Sequence, residues 1–288
     1  MTRTYATATA FRQALEMRLH ALAKKEGTDL QRFRRQVAFD RLLCRLFHDN
    51  RCPWILKGGY AMELRLSESR TTRDIDLGTR RPMKGTGSLA ERILTTLQDA
   101  TATDLGDFFT FLIGRAIADL DAAPYGGARF PVEARMNGRT YVRFHLDVAC
   151  GDAVIEPFEE VRGRDWLDFA GIPARAFPAI SKEQQFAEKL HAYTRPRGDA
   201  ANSRVRDLLD MLILIRLGLD VETTRTALAR TFEKRATHPL PDALPHPPNA
   251  WALPFATLAA ECSISLDSRA AFDTVAAYWQ SLQTSRST

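Results

Sequence analysis

Ile55-Leu56-Lys57-Gly58-Gly59-Tyr60-Ala61-Met62-Glu63-Leu64-Arg65, followed by Arg70-Thr71-Thr72-Arg73-Asp74-Ile75-Asp76-Leu77, is the stretch whose reading decides the fold. An apolar lead-in runs into paired glycines, then an amphipathic segment, then an acidic strand. Side chains alternate along a strand, so Asp74 and Asp76 share one face with Ile75 behind them. Two carboxylates so close repel unless a cation lies between them, and hard oxygen donors suit Mg²⁺. Gly58-Gly59 leaves backbone N–H groups bare where a helix starts, a place that favours an anion. A phosphate seat followed by a metal seat points to nucleotide chemistry. An isolated Asp-x-Asp is common and a Gly-Gly pair is most often a turn; it is their order that carries the signal. No Gly-Lys-Ser/Thr follows the glycines, so this is no P-loop, and no G-x-G-x-x-G marks a dinucleotide fold.

Working outward, 288 residues can bury a large core and predict two lobes, or one domain with a helical extension. No apolar run approaches the roughly 20 residues of a membrane span, and the N-terminus lacks a secretory signal pattern. Cys44, Cys52, Cys150 and Cys262 show no metal-ligand spacing. Cys44 and Cys150 sit in apolar runs and read as buried thiols of a reducing cytoplasm. The net charge is +5, and only seven of the forty basic residues are Lys. Arginine is the better phosphate fork, which is compatible with a nucleic-acid partner. Arginine excess also follows from genome composition, so charge alone decides nothing.

Apolar spacing predicts two helices over 8–48, joined at the N-cap Asp29. Arg32, Arg34 and Arg35 begin the second, either as a nucleic-acid contact or as a solvated face. A helix is expected through Leu89, Ile93, Leu94 and Leu97. Strands at 108–113 and 140–148 bracket a stretch read as Pro/Gly/Asn-rich connection. In the second strand Tyr141, Arg143, His145 and Asp147 share a face, unless a bulge breaks the parity. Asp147 ends that strand and is a candidate third acid of a two-metal site, or a cap on the following turn. Residues 157–180 are loop-rich. Ser181 with Gln184 forms a capping-box pattern for the next helix, which carries Lys189. In the helix after it, Asp207 and Asp210 are neighbours in an apolar setting. Buried acids need cations, and Lys189 or Arg206 fits; the sharper reading places Lys189 on a triphosphate. The Pro-rich segment from His238 to Trp251 reads as a wrap-around loop, and a final helix is expected at about 268–284. The expected divisions are 1–50 (helices packing on the core), 51–165 (core) and 166–288 (mainly helical lobe).

Taken together, Leu56-Lys57-Gly58-Gly59, Glu63-Leu64-Arg65, Arg70 through Asp76, Leu146-Asp147-Val148, Glu188 through Ala192, Arg206 through Asp210 and the Pro-rich loop resemble the AbiEii/AbiGii toxin family of nucleotidyltransferases, which includes the mycobacterial MenT toxins. The resemblance implies an α+β fold: a polymerase-β-like core with a small mixed sheet and a helical C-terminal lobe. It implies Mg²⁺, a nucleoside triphosphate, transfer of nucleotides to the 3′ end of tRNA, and a cognate antitoxin. Carried over, Asp74 and Asp76 would bind metal, with Asp147 as a further candidate. Lys57, Gly58 and Gly59 would contact phosphates, Lys189 the triphosphate, and Asp210 with Asp207 would complete the site, the opposite wall of a cleft. Thr71 and Thr72, beside the acids, would be an inactivation point if modified. A cytoplasmic monomer is expected. Tyr60 stands where the family often has a small hydroxyl residue, and Arg206 where it often has Lys. The competing readings are transfer to a protein or small molecule, and a non-enzymatic nucleotide-binding partner protein.

Overall fold

The computed structural model describes residues 5–66, 71–120, 123–198 and 202–284. The chain divides into two compact units. The first comprises Met1–Arg65, Thr71–Gly151 and Glu160–Ala179, and the second Leu66–Arg70, Asp152–Glu159 and Ile180–Thr288.

The first unit opens with helices α1 (Ala8–Glu26) and α2 (Leu30–Leu46). Asp29 caps α2 as its position predicts, accepting from the amide of Gln31. Strand β1 (Trp54–Lys57) leads directly into α3 (Gly58–Arg65), and β2 (Asp74–Thr79) follows. Helix α4 (Leu89–Thr101) starts at a full capping box between Ser88 and Glu91. Then come β3 (Phe109–Ile113), β4 (Ala118–Asp119), β5 (Gly127–Met136), β6 (Arg139–Ala149), β7 (Glu159–Arg162) and β8 (Ala176–Ala179). Among the described residues they form one mixed sheet in the order β3-β5-β6-β2-β1-β8-β7, with β4 beside β5. Pairing is antiparallel for β1–β2, β3–β5 and β5–β6, and parallel for β2–β6 and β1–β8. The fold is therefore the expected α+β class, a mixed sheet flanked by helices, with a helical C-terminal lobe.

The longest departure from the sequence reading is β5, which lies inside the stretch taken as connection. Ala128, Phe130, Val132, Ala134 and Met136 alternate into the core, a period-2 pattern interrupted in appearance by Pro131. Proline is tolerated there because its carbonyl accepts from Gly114, in the gap where β3 has ended and β4 has not begun. Residue 131 lies opposite Gly114, so the missing N–H costs only the last return bond of the ladder to β3, which ends there. The parity of β6 breaks at a bulge opposite Ala134/Arg135. Tyr141 consequently turns into the core, while Arg143, His145 and Asp147 lie on the other face.

One face of the sheet carries Ile75, Leu77, Phe130, Val132, Leu146 and Val148 into a core shared with α1, α2 and α4. A buried ion cluster pins α2 to the start of β3. The carboxylate of Asp107 accepts from Arg41 at 2.6 Å and from Arg45 at 2.9 and 2.7 Å. Burial in this core also pushes the Cys44 thiol up to about 11, and the described cysteines are all free thiols.

The second unit is built from α5 (Lys182–Thr194), α6 (Val205–Arg216), α7 (Val221–Arg235), α8 (Ala252–Glu261) and α9 (Ser268–Thr284). Phe186, Leu190, Leu212, Phe255, Phe272 and Val275 are among its buried residues. Ser181 caps α5, but only half of the expected box forms. The Gln184 side chain donates to Ala153 and accepts from Ile155 instead. The Pro-rich loop holds to its own unit: Tyr193 donates to the carbonyl of Pro245 and Trp251 to that of Asn202.

No described helix is long and apolar enough to cross a membrane.

Candidate active site

The face of the sheet away from the core gathers charge along one row. Lys57 pairs with Asp76 across β1–β2, Asp76 with Asp147 across β2–β6, and Asp147 with Arg129 across β6–β5. Residues directly opposite share a face at about 5 Å between Cβ atoms, so four adjacent strands present a cation, two acids and a cation side by side. Asp74, two residues before Asp76 on the same face, is opposite His145. The Nδ1 of His145 is 3.3 Å from the Asp74 carboxylate.

Helix α3 sets the boundary of this row. Gly58 has φ +66°, in the left-handed region, and a Cβ built on it would overlap the Asp76 carboxylate. The chain thus turns from β1 into α3 hard against Asp76, and the amide of Gly59 donates to its Oδ2 at 3.3 Å. Lys57, Gly58, Gly59, Asp74 and Asp76, which the sequence offers as one stretch, are brought together with Asp147 in one unit.

Asp147 is engaged further. Arg129 forks onto it through Nε at 2.8 Å and a terminal nitrogen at 2.7 Å, and that nitrogen is also 3.7 Å from Asp74. The bonds to Asp147 hold the guanidinium firmly protonated. Arg129 was not legible as a site residue, because its strand was not; the alternation at 128–136 is the signal that could have found it.

Asp74 and Asp76 supply two hard oxygen donors on one face. This suits Mg²⁺, which commonly takes one or two carboxylates and completes its shell with substrate phosphates and water. Among the described residues no three Asp, Glu, His or Cys side chains lie close enough to enclose a metal by themselves.

Several motif residues turn out to support the site from behind. Glu63 accepts from Arg32 at 2.9 Å and from Gln36 at 2.7 Å, and the amide of Thr72 reaches it at 3.4 Å. It ties α2, α3 and the entry to β2 together, and burial raises its carboxyl above the usual range. Arg34 forks onto Glu16, so two of the three arginines in the basic cluster are spent on internal ion pairs. Tyr60 follows the glycines but faces the core, where its hydroxyl donates to Asp40 and its ring packs edge-on against Phe39. Thr72 donates to the carbonyl of Asp74 at 3.4 Å, and both Thr71 and Thr72 are half-buried. Arg70 lies outside the described residues.

The other predicted residues form a second group in the helical unit. Lys189 Nζ is 3.0 Å from Asp207 and 2.8 Å from Asp210, both acids being buried. Arg204 approaches Asp207 at 3.7 Å, whereas Arg206 is exposed. Of the two cations considered for these acids, Lys189 is the one that pairs with them. Behind it His191 is buried against Phe232 and Thr237, and burial pushes its imidazole down to about 3, so it is neutral there.

No curated protein matches the sequence. Among solved structures, MenT4, a nucleotidyltransferase toxin from Mycobacterium tuberculosis H37Rv, aligns at 19% identity over 67% of this chain, with TM-score 0.46. This chain spans 61% of the length of that one. JHP933 from Helicobacter pylori aligns at 14% identity and TM-score 0.49, covering 89% of this chain and 94% of its own. The sequence model of the family described as nucleotidyl transferase AbiEii toxin, Type IV toxin–antitoxin system, matches residues 41–280, which take in the row Lys57 to Arg129, the glycines of α3, and Lys189 with Asp207 and Asp210. With that match over most of its length, the chain belongs to the AbiEii family of nucleotidyltransferase toxins.

Proposed function

We propose that the protein transfers a nucleotide from a nucleoside triphosphate to the 3′ end of an RNA, tRNA being the preferred acceptor, and that this is how it acts as a toxin. The observation that carries the reading is the row Lys57–Asp76–Asp147 with Asp74 beside it, closed by the glycines of α3. Asp74 and Asp76 would hold Mg²⁺, which supplies charge stabilisation to the phosphates when bound. Lys57, at the end of β1 in the same row, is placed to neutralise phosphate oxygens, and the Gly58-Gly59 backbone lets a phosphate approach closely. The ribose 3′-hydroxyl forms a new bond to the α-phosphorus, the bond to the β-phosphate oxygen breaks, and pyrophosphate leaves. The hydroxyl proton passes to a site carboxylate.

On this reading Lys189 binds the triphosphate, with Asp207 and Asp210 orienting its ammonium; their mutual ion pairs support the orienting part. Modification of Thr71 or Thr72 would add negative charge next to Asp74 and oppose triphosphate binding. Membership of a toxin–antitoxin family implies a cognate antitoxin. The test is incubation with each of four α-labelled nucleoside triphosphates, in the presence of total tRNA or of protein extract. Label in tRNA, dependent on Mg²⁺, is expected. Label confined to protein would replace this reading with protein modification, and no transfer to any acceptor would leave a nucleotide-binding partner protein.

A further inference from the structure

Arg129 has no part in the chemistry just described, yet it reaches two of the three acids on the sheet face. It is set on a strand: its carbonyl accepts from Ile117 at 2.9 Å, and its backbone pairs with Asp147 on one side and Ala118 on the other. From that fixed point the guanidinium engages both oxygens of Asp147 and approaches Asp74. A divalent ion using Asp147 would therefore have to displace a bidentate, charge-assisted pair and lie beside a permanent positive charge.

We propose that Arg129 stands in place of a second metal ion, so that the site takes one divalent cation, on Asp74 and Asp76, and Asp147 is the positioning residue that holds the guanidinium. The inference rests on the metal-dependent reading of the Asp74/Asp76 face given above. Three observations carry it. The parallel register puts Asp147 beside Asp76, where a third acid would complete a two-metal set, but its carboxylate is already gripped at 2.8 and 2.7 Å. Among the described residues Asp147 is not grouped with Asp74 and Asp76 closely enough for the three to enclose an ion by themselves. The Arg129 side chain also stays about a third exposed (36%) while it holds Asp147, so the pair does not seal it off from a phosphate oxygen. An ordinary surface ion pair would explain the fork, but not its coincidence with the acid row. A fixed guanidinium would then neutralise charge at the transferring phosphate without requiring a second ion to bind.

The experiment is equilibrium dialysis of the full chain with Mn²⁺ and an equimolar mixture of methylene-bridged analogues of the four nucleoside triphosphates. The readout is the ratio of Mn²⁺ to nucleotide retained on the protein. One Mn²⁺ per nucleotide is expected for the native chain and for Arg129→Lys, rising to two in Arg129→Gln, where Asp147 is released. Two ions per nucleotide on the native chain would overturn the proposal whatever the variants do. An unchanged ratio in an Arg129→Gln protein that melts normally and binds nucleotide would overturn it as well. Retention of neither metal nor nucleotide by the native chain would instead remove the metal-dependent reading on which it rests, and the proposal with it.

Discussion

A side chain at position 58 would collide with Asp76, and the backbone there already lies at positive φ. Gly58→Ala is therefore expected to cost about 1–3 kcal/mol of stability from the strained backbone. It should also displace the Asp76 carboxylate and reduce transfer by more than that loss of fold explains. Urea denaturation alongside a transfer assay at a temperature where the variant is folded separates the two effects. Asp40 couples the stability of this core to pH. It is buried with Tyr60, Arg41 and Trp166 around it, and burial raises its carboxyl to about 7 despite the donors and the cation. An acid whose folded pKa is raised binds its proton more tightly in the folded state. Its contribution to stability is thus fully present below about pH 4 and is lost as pH rises towards 7. Asp40→Asn keeps an acceptor for Tyr60 and removes the titration. Denaturation at pH 5 and pH 8 should show the variant gaining on the native chain by on the order of 1–4 kcal/mol at the higher pH. An equal difference at both values would show that Asp40 does not titrate in this window.

The site depends on strands being in register, and the sheet that carries them is tied to α2 by buried ion pairs. Among the described residues Asp107 pairs with Arg41 and Arg45, all three are buried, and together they join α2 to the start of β3. Asp107→Ala leaves two guanidinium groups without their carboxylate and should cost about 3–5 kcal/mol, measured as a shift in the urea midpoint at unchanged slope. The helices were legible from their apolar spacing and caps: Asp29, Ser181 and the final helix at 268–284 stand where the sequence places them. So was the order of glycines, helix and acidic strand. Strand β5 was not, because Pro131 reads as a breaker until the gap between β3 and β4 is known, and that gap is a tertiary fact. With β5 went Arg129. The partner of Asp147 was equally out of reach, since an ion pair between strands depends on register and register is not written in either strand alone. Tyr60 shows the converse limit: its position after the glycines draws attention to the site, but its side chain belongs to the core.

For the whole molecule, the excess of positive charge is modest and the arginines nearest the start of α2 are committed to Glu63 and Glu16. Binding of RNA, on the proposed function, then rests on phosphate contacts made elsewhere and must weaken as salt releases the ion atmosphere's advantage. Affinity for tRNA should fall by at least tenfold between 50 and 200 mM salt, roughly as expected for a few phosphate contacts; a filter-binding titration at both concentrations measures it, and salt-independent binding would argue for an acceptor other than nucleic acid. On the proposed function, the Asp74/Asp76 face directs nucleotide transfer to a terminal ribose hydroxyl. The most direct measurement gives α-labelled nucleoside triphosphate and Mg²⁺ to the native chain and to Asp76→Asn, each with intact tRNA and with tRNA whose 3′ ribose has been oxidised by periodate. Label in RNA and an equal release of pyrophosphate are expected only from the native chain with intact tRNA; label from Asp76→Asn at the native rate, or label on oxidised tRNA, would contradict the account.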